Sequence, residues 1–297
     1  MATRTTTWAP YGAFAACAAI WGSTFLAIRI GNETVPPIWG AALRLVIAAV
    51  VLVALARITR QPLPRGAALS AALGYGVFQF GVNLPLLYWG ETEVSSGLSA
   101  VIYATIPLTM AILARVLGIE SLTRAKLVGA LVALVGVAII FSGESMSGTR
   151  LLPVGAVFAA TWTACLGTLL LKRGPAQSAI GANAVGSAVG APVCLAISAL
   201  AGEPWSLPAS VRVWFPVLYL AIVGSVGAFV VFAWLIQRWP ATRASYISVV
   251  IPLVAVTLGA LVRAERLHAA TLAGSIVVIG GVALGLRASR LPSARRP

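Results

Sequence analysis

Apolar stretches about as long as a bilayer is thick, parted by charged or Gly/Pro-rich breaks, run the whole length of this chain. A hydrocarbon core needs about 20 apolar residues per helix. Cutting at the charges and breaks predicts an all-α membrane protein of ten transmembrane helices. They run approximately from Pro10 to Ile28, Ile38 to Ala56, Ala67 to Trp89, Val94 to Ala114, Leu127 to Ser142, Leu151 to Leu171, Ile180 to Ala201, Val213 to Ile236, Ala244 to Val262 and Thr271 to Leu286. The fifth and tenth are short for a span, which fits either local bilayer thinning beside tilted neighbours or helices packed inside the bundle. Small residues after a basic start, in "FAACAA", resemble a cleavable signal. The first segment has a partner further along the chain, however, and is expected to be a retained structural helix.

That partnership is part of a longer repetition. "IPLTMAILARVLGIESL", Ile106 to Leu122, returns as "IPLVAVTLGALVRAERL", Ile251 to Leu267. The offset of 145 residues that joins Pro107 to Pro252 also joins Glu120 to Glu265, Gly129 to Gly274 and Gly136 to Gly281. A weaker echo relates "AAIWGSTFLAIR" at Ala18 to "AATWTACLGTLLLKR" at Ala159. Similarity at a fixed offset marks a duplicated unit, so the expected organisation is two five-helix repeats, residues 1–147 and 148–297. Five is odd, so the second repeat enters the bilayer upside down. Inverted repeats are how alternating-access carriers place a solute site near the midplane; duplication kept for packing alone is the plainer alternative.

Composition names the solvent. With 60% hydrophobic and 9% charged residues and a mean hydropathy of +0.97, the chain is too apolar for a soluble core and is built for lipid. A formal net charge of +14 would suggest nucleic acid in a soluble protein, but the positive residues lie between apolar runs, where they report topology. With both termini in the cytoplasm, 15 lysines and arginines face that side and 5 the other, leaving Arg44 inside a helix. That distribution follows the positive-inside rule.

Catalysis has little to work with. The chain has no aspartate, one histidine (His268) and three scattered cysteines, Cys17, Cys165 and Cys194. Neither a metal cluster nor a hydrolytic triad follows from that inventory, so no enzyme, metal or cofactor is expected. The cysteines are expected in core or lipid rather than in disulfides.

Polar residues inside the spans are the candidates for binding. Pro107 and Pro252 each remove a backbone donor, which either shapes a shared central chamber or is absorbed as a packed kink. Ser99 and Tyr103 fall on the face of Pro107, and Ser245 and Ser248 on that of Pro252. Gln79 and Asn83, four apart, should look inward with Tyr88, as solute contacts or as hydrogen-bonded glue between helices. Trp21 with Thr24, and Trp162 in the matching helix, offer indole walls and hydroxyls to a small amphipathic solute. Arg44 is either a partner for an anionic group or a snorkelling side chain near the outer end of its helix. No carboxylate lies deep in a span, so proton coupling would fall to Glu33, Glu91 or Glu93, or to none of them.

Taken together, "WGSTFLAIR", "ALRLVIAAVVL" and the run from "SSGLSAVIYATIPL" to "VGVAIIFSG", with its second copy from "RASYISVVIPL" to "IGGVALG", resemble the drug/metabolite transporter superfamily, EamA type. The similarity spans nearly the whole chain and departs at "YWGETEV", which carries Glu91 and Glu93. The resemblance implies a ten-helix inner-membrane carrier, commonly an exporter of amino acids, related metabolites or drugs. The expectation is alternating-access movement of a small solute, with the lipid bilayer as the other partner and no nucleic acid. Substrate, ion coupling and oligomeric state stay open, as do import and a non-transporting sensor or scaffold.

Overall fold

The structure, a computed structural model, describes residues 8–94, 96–140, 151–254 and 269–288. Helices alone make up the secondary structure of these described residues. Helix α1 spans Ala9–Asn32 and α2 Pro37–Ile58. The third span is α3 (Ala67–Tyr75), a π-helical stretch (Gly76–Val82) and α4 (Asn83–Gly90). The fourth is broken into α5 (Ser96–Tyr103) and α6 (Ile106–Val116), followed by α7 (Arg124–Ile140). Next come α8 (Leu151–Arg173), α9 (Ala179–Leu200), and α10 (Val211–Tyr219) running through a second π-helical stretch (Leu220–Ala228) into α11 (Phe229–Ile236). The short α12 (Ala241–Ala244), α13 over 247–254 and α14 (Ala269–Ala288) complete the chain. Among the described residues seven spans are long and apolar enough to cross a membrane, and the apolar helices Ala241–Val254 and Ala273–Arg287 are shorter. The ends of the second repeated phrase, with Glu265 and His268, lie outside the described residues.

One feature of the expected helices needs correcting, and one alternative left open is decided. The prolines do not make a matched pair of kinks. Pro107 opens α6, just after a turn at Ala104 and Thr105. Pro252 lies inside α13, and the turn in that span falls earlier, at Ser245 and Tyr246. A proline is tolerated in a first helical turn, where its missing N–H would be unpaired anyway, so Pro107 starts a helix rather than bending one. Second, α7 and α14 are not enclosed by the bundle. Val128, Val135, Ile276 and Ile279 are all more than half exposed on their outer faces, as suits lipid.

What holds α7 to α14 is glycine. Gly129 faces Gly285, Ala133 faces Gly281, and Gly136 faces Gly274 and Val278. Numbers rise along one helix as they fall along the other, so the two run antiparallel. A side chain on Gly136 would put its Cβ 2.6 Å from the Val278 nitrogen and 2.8 Å from the Gly274 oxygen. Backbones can come this close only where side chains are absent, which is how helices pack in lipid without a hydrophobic driving force.

Polar links cross the fold near both ends. On the side assigned to the cytoplasm, Glu120 accepts from the Ala241 N–H and the Thr242 hydroxyl at the start of α12, and pairs with Lys126 at 3.3 Å. A carboxylate at a helix N-terminus meets unpaired N–H groups and the positive end of the dipole. Lys172 does the converse for α11, donating to the Ile236 and Trp239 carbonyls. At the opposite end Glu203 accepts from the Ile38 and Trp39 N–H groups at 3.0 and 2.7 Å, capping α2.

Candidate functional site

The two π-helical stretches sit at equivalent places in the third and eighth spans, and each brings a polar side chain into the interior. A π-turn widens the helix locally and re-aims side chains, which is why such turns gather at functional sites. The first carries Gln79, whose Oε1 accepts from the Thr168 hydroxyl at 3.2 Å. The second carries Ser225, whose Oγ accepts from Arg44 Nε at 2.7 Å. Glycines let neighbours approach: Gly167 lies against Gln79, and Gly224 leaves room for Thr24 and the Arg44 guanidinium, whose Nη2 would be 3.2 Å from an added Cβ.

Between these spans lies a cavity of about 100 Å³. A water needs roughly 10–15 Å³ of such space, so the cavity suits several waters or one small organic molecule. Trp21, Thr24, Arg44, Gln79, Asn83, Tyr103, Ser245 and Ser248 line it, which brings together eight residues that the sequence singled out. Its apolar wall is an aromatic frame. Trp21 packs against Phe229 and Phe232 with ring centroids 5.1 Å apart in each case, and Phe25 meets Tyr103 edge-on at 5.4 Å. Phe229, Phe232, Met110 and Thr168 also line the space and were not foreseen. Thr168 lies one α8 turn from Ala164 and Cys165, which face the same cavity.

Other expectations are corrected by placement. Trp162 is 38% exposed on the outside of α8 and does not line the cavity. Tyr88 stands behind the wall, where its hydroxyl accepts a long 3.4 Å contact from Arg44 Nη1. Ser99 is buried beside Glu91, away from the cavity. Pro107 and Pro252 are not among the lining residues either. Asn83 lines the space but spends both amide protons on the protein, donating to the Tyr103 hydroxyl at 2.9 Å and the Ala160 carbonyl at 2.7 Å. Its first effect is therefore to fix Tyr103 and join α4 to α5 and α8.

Arg44 does not snorkel. Its side chain is 2% exposed and turned inward, and the one ion pair among the described residues is Lys126 with Glu120. Nε and Nη1 have partners in Ser225 and Tyr88, both uncharged. A buried charge without a counter-ion is costly, and in a membrane such residues mark solute or ion paths.

Glu91, just past the end of the third span, is also fully buried, and neither carboxylate oxygen has a hydrogen-bond partner among the described residues. Arg29 spends Nη1 on the Glu91 and Val94 carbonyls, at 3.3 Å each. Burial pushes the Glu91 carboxyl well above its usual range, with the nearby Ser99 hydroxyl and the Arg29 charge pulling weakly the other way. Although Ser99 lies close, its hydroxyl makes no hydrogen bond of proper geometry.

All three cysteines are buried and free, with Cys165 on the cavity wall. Among the described residues no group of His, Cys, Asp or Glu could hold a metal ion.

Comparison with known proteins agrees with this architecture. The EamA-like transporter family matches twice in tandem, over residues 9–142 and 147–287. The uncharacterized inner membrane transporter YedA of Escherichia coli is 31% identical over 84% of this chain and 81% of its own. An uncharacterized transporter of Archaeoglobus fulgidus is 30% identical over 90% and 95%, and a probable amino-acid metabolite efflux pump of Salmonella typhimurium 26% over 89% and 90%. A crystal structure superposes with a TM-score of 0.77 at 18% identity, covering 97% of this chain and 100% of that one, a likeness of fold. With a family match across nearly its whole length, the chain belongs to the EamA-like transporter family, and is a membrane transporter.

Proposed function

We propose that the protein is a ten-helix carrier of the inner membrane, built from two inverted five-helix repeats (1–147 and 148–297), that exports a small metabolite by alternating access through the cavity. The observation that carries this reading is the origin of the lining residues. Trp21, Arg44, Gln79 and Asn83 come from the first half, and Thr168, Phe229, Ser245 and Ser248 from the second. A site shared between repeats can open to one face or the other as the repeats rock. The tandem family match, the paired π-helical stretches and the antiparallel α7–α14 seam all support an inverted repeat. Glu120 on α12 and Asn83 on the Ala160 carbonyl are hydrogen bonds between the halves, of the kind such motion must break and remake. Export of an amino acid or related solute is supported by the name of the Salmonella relative.

The test is accessibility. In a chain whose three native cysteines are alanine, Ser245→Cys should be labelled by a membrane-impermeant thiol reagent from the outside in whole cells and from the inside in inverted vesicles. Labelling from one side only would favour a sensor or one-sided receptor.

A further inference from the structure

We propose that the solute carries a carboxylate, seated on Arg44, and a small apolar body held by the aromatic frame. The inference rests on reading the cavity as the solute site and adds the chemical class. Three observations converge on it. Arg44 lines the cavity, and its Nη2 has no partner among the described residues, while Nε and Nη1 are held by uncharged oxygens. Nor is there an aspartate or glutamate among the described lining residues, so these side chains leave one positive charge out of balance. Gly224 is the third: a Cβ there would stand 3.2 Å from Nη2, so the missing side chain lets the guanidinium take this inward position.

A carboxylate meets this need. Its two oxygens can accept from the fork of N–H groups, and its charge balances the guanidinium where no water does so cheaply. An ammonium group would sit near Arg44 with no acid to offset either charge, and an uncharged amide would leave the arginine uncompensated. The same cavity is lined by Trp21, Phe25, Phe229 and Phe232, an apolar wall suited to a short branched hydrocarbon. With about 100 Å³ available, the body is a few carbons rather than a drug-sized skeleton.

Four molecules on one carbon frame separate the alternatives: 3-methylbutanoate, its primary amide, 2-methylpropylamine and valine. Binding to the full chain in detergent micelles at neutral pH is measured by titration calorimetry. The acid should bind about tenfold or more tightly than the amide or the amine, as loss of charge-assisted hydrogen bonds dictates. Valine should fall between acid and amide, since its ammonium finds no carboxylate. Arg44→Gln should bring the acid down to the level of the amide and leave the amide unchanged, with Arg44→Lys intermediate because a point charge lacks the fork. If Arg44→Gln does not fold, the acid-to-amide ratio of the parent chain decides alone. The proposal is overturned if the amide or amine binds as tightly as the acid, if Arg44→Gln keeps the ratio, or if none of the four binds. Failure here leaves two-sided access of Ser245→Cys untouched, so the carboxylate and the carrier readings stand or fall separately.

Discussion

Placing leucine at Gly136 or at Gly281 is expected to remove most of the folded protein from the membrane, whereas leucine at Gly280, one residue away, is expected to do little. Gly136 and Gly281 lie in the α7–α14 seam, where a Cβ would strike partner backbone, and Gly280 has nothing within 4 Å. Overpacking a tight contact costs about 1–3 kcal/mol when side chains can yield, and more here because the obstacle is main chain. Separating the helices would also expose the buried ring of Tyr246, which packs on Gly285 and donates its hydroxyl to the Lys126 carbonyl at 3.0 Å. Yields of monodisperse protein after detergent extraction read the effect directly. Equal loss at positions 280 and 281 would mean that bulk, and not the seam, is what the membrane or the detergent rejects.

The second large effect is a dependence on pH carried by Glu91. Its carboxyl is raised in the folded protein by burial and takes its ordinary value of about 4.5 when unfolded. The folded state therefore holds a proton that the unfolded state releases. Stability is fullest below the unfolded value and is lost as pH rises through the folded one, at up to about 1.4 kcal/mol per pH unit. Glu91→Gln keeps the shape and removes the titration. The parent should melt at progressively lower temperature as pH is raised from 5 to 8, and the Gln variant should lose clearly less and be the more stable of the two at pH 8. Parallel pH profiles for the two would assign the dependence to another group. The groups nearest the carboxyl are Arg29 and Ser99, and the Arg29 charge is directed at carbonyls rather than at the carboxylate.

Much of this architecture can be read from the sequence because lipid leaves few options. Every backbone polar group in the bilayer must be satisfied locally, so apolar runs of the right length become helices. The glycines at 129, 136, 274 and 281 also signal their role, since small residues at helical spacing are what close packing in lipid requires. Side-chain direction is another matter. Arg44 lies near a helix end, where distance alone allows snorkelling; only the position of Ser225, on a different span, shows that it turns inward. Trp162 looks equivalent to Trp21, but the two first helices align with a different offset from the rest of the repeat, and their indoles end on opposite sides of the wall. Prolines misled for a related reason. A proline forbids one hydrogen bond but does not say whether the helix runs on through it, as at Pro252, or starts afresh, as at Pro107. The π-helical stretches gave no sequence signal beyond their glycines, and with them Phe229 and Ser225 went unnoticed.

If the cavity passes a solute across the membrane, the protein will sustain counterflow. Proteoliposomes holding the full chain are loaded with unlabelled 3-methylbutanoate, valine, other small amino acids, hydroxy acids or amines, then diluted into a trace of the labelled solute. Transient uptake of at least one labelled solute above its equilibrium level is expected, lost in protein-free liposomes and reduced by Arg44→Gln when the solute bears a carboxylate. Solutes that bind in micelles but never exchange across the proteoliposome membrane would contradict it, and would make the protein a receptor built on a carrier's frame.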